Sequence, residues 1–96
     1  MANFFVPYSG KKPASLEING HRVIILSHNP SLIRDGLDLI GADRVQRIRS
    51  GDSEEEQEKI LDRLARKVDG GVVVAPSDID LAEVIKNLQS ELPWMH

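Results

Sequence analysis

Apolar residues recur along the chain at two spacings, and the alternation between them predicts the order of elements. Leu16 and Ile18 alternate with polar neighbours, whereas Val23-Ile24-Ile25-Leu26 is unbroken; the first stretch reads as a half-exposed strand, the second as an interior one. Between them Asn19-Gly20 is the strongest short hairpin signal, because both residues of such a turn take positive φ. A two-residue turn there sets Ile18 opposite His21, Glu17 opposite Arg22 and Leu16 opposite Val23, gathering Leu16, Ile18 and Val23 on one face. Helical spacing follows in Leu32, Ile33, Leu37 and Ile40, with Asn29 as N-cap, Pro30 at the first helical position, Gly36 for close packing on the sheet and Gly41 as stop.

The second half repeats the unit. Arg44-Val45-Gln46-Arg47-Ile48-Arg49 has no clean apolar face and carries the arginines of a guarded edge strand. Ser53 and Glu56 form a capping box for a helix whose inner stripe is Gln57, Ile60, Leu61, Leu64 and Val68. Acidic residues crowd its first turn and Arg63, Arg66 and Lys67 its last, which matches the helix dipole; Gly70-Gly71 ends it. Val72-Val73-Val74-Ala75 is wholly apolar and belongs in the centre of a sheet. After Pro76, Ser77 is expected to cap a last helix with Leu81, Val84, Ile85, Leu88 and Leu92 facing inward, until Pro93.

The expected fold is therefore α/β: an N-terminal β-hairpin followed by α-β-α-β-α. It forms a four-stranded mixed sheet in the order 1-2-4-3 with helices on both faces. The second choice, a doubly wound 3-2-4 order, requires the first strand to peel away. Residues 1–13, interrupted by Pro7, Ser9-Gly10 and Pro13, read as an irregular arm of a single domain spanning 1–96.

Composition narrows the function. At 96 residues, 41% hydrophobic and 28% charged, the chain matches one globular domain with a small core. It has no cysteine, which excludes disulfides and thiol chemistry and suits the cytoplasm as the expected location. No apolar run is long enough for a bilayer, and Phe4-Phe5-Val6 is cut off too soon by Pro7 to read as a signal peptide. A net charge of −3 points away from nucleic acid and from membrane surfaces; Arg44, Arg47 and Arg49, with Lys11 and Lys12, are the one cluster that could meet a polyanion.

Candidate chemistry is sparse. The ends of the parallel strands, where α/β sheets bind ligands, hold Ser27-His28-Asn29, Ser50-Gly51-Asp52 and Ala75-Pro76-Ser77-Asp78. Ser27, His28, Asn29, Ser50, Ser77 and Asp78 could thus receive an anionic small molecule, with helix N-termini as donors and His28 as base. Against this, caps are needed at every helix start, and Ser27 and His28, consecutive on a strand, point to opposite faces. No glycine-rich phosphate loop or metal-ligand spacing is present, so no cofactor and no metal are expected. The aromatic residues Phe4, Phe5, Tyr8 and Trp94 all lie near the termini. Either the two ends meet and cap the sheet, or Phe4, Phe5, Tyr8, Trp94 and Met95 form a contact surface for a partner or a second copy.

From Val23 to Ile85 the order of signals resembles the small receiver-like α/β subunit of the archaeal and vacuolar rotary ATPases. The residues that carry the likeness are Val23-Ile24-Ile25-Leu26, Asp35-Gly36-Leu37-Asp38-Leu39-Ile40-Gly41-Ala42, the acidic helix from Asp52, and Asp69-Gly70-Gly71-Val72-Val73-Val74. The resemblance is one of fold, and it implies a non-catalytic regulatory or coupling part of a larger assembly. With no converging acid, base and nucleophile, the leading expectation is a small protein-interaction module, homodimerisation included. The ligand-binding or enzymatic reading at the strand ends is the alternative.

Overall fold

A computed structural model describes residues 2–91. In chain order the elements are β1 (Ala2–Ser9), β2 (Lys12–Pro13), β3 (Leu16–Ile18), β4 (His21–Ser27), α1 (Pro30–Asp35) and α2 (Leu37–Ile40). There follow β5 (Arg44–Gly51), α3 (Glu54–Val68), β6 (Gly71–Ala75) and α4 (Leu81–Glu91). The fold is α/β, with the strands joined in one mixed sheet.

Asn19 and Gly20 take φ of 52° and 85°, and the hairpin they close pairs Leu16 with Val23, Glu17 with Arg22 and Ile18 with His21, the predicted register. On the other edge of β4, β6 runs parallel from Val23↔Gly71 to Ser27↔Ala75. The 1-2-4-3 order fails at its last pairing. β5 lies beside β1, antiparallel from Asn3↔Arg49 to Tyr8↔Arg44, and not beside β6. β1 meets β4 at Phe5↔Ser27 and β2 at Tyr8↔Pro13, so the middle of the sheet reads β5-β1-β4-β6, with β2 and β3 filling the gap where β1 and β4 diverge.

Residues 1–13 are therefore no irregular arm: β1 is an interior strand. Its proline is tolerated for a directional reason. Within a strand a residue's N–H and C=O point to the same side, and the Pro7 carbonyl accepts from Ala14 N at 2.8 Å. The missing donor thus falls toward the β2 side and leaves the ladder to β5 intact.

Helices cover both faces. Phe4, Val6 and Tyr8 of β1 and Ile24 and Leu26 of β4 pack with Leu64 and Val68 of α3. On the opposite face Ile18, Val23, Ile25 and Ala75 pack with Leu32, Ile33 and Ile40 of α1 and α2 and with Leu81, Val84 and Leu88 of α4. The alternation follows from direction: β4 to β5 and β5 to β6 cross the sheet in opposite senses, and connections of one hand then lie on opposite faces. Gly36 separates α1 from α2 and packs not on the sheet but against α4, where an added Cβ would fall 2.7 Å from Leu81 Cβ. α3 ends with Asp69 at φ 53° as its left-handed cap, a position usually given to glycine.

Val72-Val73-Val74-Ala75 is consequently not central. Among the described residues β6 pairs with β4 alone, and Val74 is 41% exposed.

Candidate functional site

The parallel strands β4, β5 and β6 end on one side of the sheet, where an open crevice would offer a binding site. Here antiparallel β1 occupies the position between β4 and β5, and its start, Ala2↔Gly51, lies among those strand ends.

Ser27 is fully buried, and its hydroxyl donates to Ala75 O at 3.3 Å and accepts from Asn29 N at 3.1 Å. Asn29 Oδ1 accepts from Ser31 N at 3.1 Å, capping α1, while its Nδ2 donates to Ser77 O at 3.1 Å. These bonds stitch the end of β4 to the end of β6 and commit the Ser27 hydroxyl and the Asn29 amide to structure. Ser77 contributes its carbonyl there and does not cap α4. That cap is Asp80, whose Oδ1 accepts from Glu83 N at 2.8 Å. Asp78 is exposed in the same turn, and Ser50 is described only by its place in β5.

His28 is exposed. Its ring stacks on Phe4 with centroids 4.8 Å apart, and its Nδ1 lies 2.9 Å from Asn3 O, which can only accept, so Nδ1 carries the proton. The Nδ1–H bond to a backbone carbonyl fixes the tautomer and orientation of the ring, but the neighbouring Ser27 hydroxyl is buried and committed. The pair is not a nucleophile and its base.

Anions are also disfavoured at the starts of α3 and α4. Ser53 Oγ accepts from Glu56 N at 3.2 Å, and Glu54, Glu55 and Glu56 fill the first turn of α3. Asp80 and Glu83 hold the start of α4. Each carboxylate already takes the favourable interaction with the helix dipole and repels a second negative charge. Among the described residues no group of three His, Asp or Glu is placed to hold a metal ion.

The arginines do not form one patch. Arg44 lies opposite Tyr8 and Arg47 opposite Phe5, so their side chains leave opposite faces of the sheet, and Arg49, opposite Asn3, shares the face of Arg47. Arg44 is also engaged: its guanidinium sits 5.3 Å from the Tyr8 ring centroid, donates to Gly10 O and to Gln46 Oε1, and lies 3.9 Å from Asp43.

The aromatic surface must be corrected as well. Phe4 is 1% and Tyr8 8% exposed, both in the core beneath α3, and Phe5 is half-buried on the other face. They hold the sheet to its helices and cannot present a docking surface; Trp94 and Met95 lie outside the described residues. Among the described residues the exposed large apolar side chains are instead Leu39 on α2 and Val74 on β6. The alternation of Phe4, Val6 and Tyr8 is the signal that could have revealed β1 as a strand.

Replacing Ser27 by alanine is expected to cost about 1–3 kcal/mol, because the part-buried Asn29 N–H and the buried Ala75 carbonyl lose a partner. Denaturant unfolding measures this. A variant as stable as the wild type would show the hydroxyl to be free for another task.

No protein-family model, curated protein or solved structure matches the chain. Among the described residues no helix is long and apolar enough to cross a membrane.

Proposed function

We propose that the chain is a small non-catalytic α/β interaction module that works through the outer edge of β6. The observation that supports this is the contrast between the two sheet edges. β5 carries Arg44, Arg47 and Arg49, whereas Gly71-Val72-Val73-Val74-Ala75 has no charge, proline or bulge. An apolar edge strand exposes backbone donors and acceptors that invite another strand, and proteins ordinarily guard such edges. The polar groups at the strand ends, by comparison, are committed to caps and to one another. The likeness to the small rotary-ATPase component implies the same class of role, a part that acts by contact.

Placing a charge on the edge tests the reading. Val74→Lys is expected to fold with its stability changed by no more than about 0.5 kcal/mol, since the position is open to solvent. Sedimentation velocity and co-purification should show the wild type heavier than its 10.7 kDa or retaining a protein partner, and the variant doing neither. A wild type that is strictly monomeric and takes no partner, or a variant that associates equally well, overturns the proposal.

A further inference from the structure

We propose that the strand received by β6 is the β6 of a second copy, paired antiparallel about a two-fold axis normal to the sheet that passes midway between the two Val73 residues. This rests on the interaction reading above and adds to it the partner and the register.

Two observations select a second copy. The first is that the edge matches itself: the two-fold sets Val73 against Val73, Val72 against Val74 and Gly71 against Ala75, apolar against apolar at every position and on both faces. The second is charge. Arg66 and Lys67, in the last turn of α3, outnumber the capping Asp69 and leave the start of β6 net positive, while Asp78 and Asp80 follow the strand. Antiparallel pairing brings the basic end of each copy to the acidic end of the other, twice. Arg66, Lys67 and Asp78 are exposed, and among the described residues the ion pair within the chain is Asp43 with Arg44, so these charges are not already matched. The β5 edge offers no such fit, because its three arginines in six residues would crowd like charges along the seam between two copies.

The result is one sheet running through both copies, with β5 as its two outer edges. A five-residue strand spans only about 17 Å, so the contact is small and the dimer dissociates on dilution.

The chain has no cysteine, so Val73→Cys introduces a single thiol. In the proposed register the two thiols stand directly opposite, with Cβ atoms about 4.5–5.5 Å apart, so that an edge-strand movement of about 1 Å brings them to the roughly 3.5–4.5 Å that a disulfide spans. Mild oxidation is expected to convert most of the Val73→Cys protein to a covalent dimer. A control thiol at the exposed Leu39 should remain largely monomeric. Val72→Cys and Val74→Cys should each fail to cross-link alone and cross-link when mixed, which reads the register even if the Val73 variant folds poorly. Asp78→Lys should weaken dimerisation roughly two- to fivefold, and Lys67→Glu in the same chain should restore it.

A wild type that dimerises while neither the Val73 thiol nor the mixed pair cross-links overturns the self-pairing and leaves the interaction reading standing. So does a monomer whose β6 edge is taken by a different protein, whereas an edge covered by the chain's own residues 92–96 overturns the interaction reading as well. A wild type that neither dimerises nor takes any strand at that edge overturns both.

Discussion

Phe4→Ala is expected to remove a large share of the stability of the domain, about 3–5 kcal/mol, and to lower its melting temperature by about 12 °C or more. The ring is 1% exposed and packs with Val6, Tyr8, Ile24, Leu26, Leu64 and Val68, joining β1, β4 and α3. A chain of 96 residues has only about 5–15 kcal/mol in total, so the variant lies close to unfolding at physiological temperature. Urea denaturation followed by circular dichroism measures the loss, and Phe5→Ala, truncating a half-buried ring, should lose clearly less. If Phe4→Ala melts with the wild type but fails to associate, the ring belongs to a surface and β1 does not lie in the sheet.

The second large effect separates two adjacent glycines. Gly70→Ala is expected to cost about 2–3 kcal/mol, whereas Gly71→Ala should change stability by less than about 1 kcal/mol. An added Cβ at Gly70 would fall 2.1 Å from the Arg22 carbonyl oxygen and 2.9 Å from its carbon. Both are backbone of β4, which cannot swing aside as a side chain would, so relief requires the start of β6 to move off its partner. At Gly71 the nearest atom is Val23 Cγ1 at 3.9 Å, an ordinary contact. Equal melting temperatures for the two variants would show that α3 does not turn into β6 against β4 in this way.

As letters, these glycines are interchangeable helix stops, and the difference between them marks where the sequence becomes silent. Local grammar was legible. The Asn19-Gly20 turn, its register, the caps at Asn29 and Ser53 and the inward stripe of α3 each depend on residues a few positions apart, and each is found. The parallel partner of β4 also followed, from two apolar runs that only a covered sheet could bury. The cap of α4 was missed because Ser77 and Asp80 are both good caps and only the path of the turn after Pro76 decides between them.

At the candidate site the sequence supplied polar residues in the expected places, and their chemistry depended on what each one meets. Ser27, Asn29 and Ser77 bond across 48 residues of chain, which turns a set of potential ligands into a seam between two strands. What the sequence determined by itself is the type of each later element and the face it buries, since periodicity and capping act within a turn or two of chain. Which strands are neighbours was decided only by the tertiary structure. Backbone hydrogen bonds join any two edges alike, so nothing in residues 2–9 announces that they will slip between β4 and β5, and nothing in Val72–Ala75 that they will be left outside.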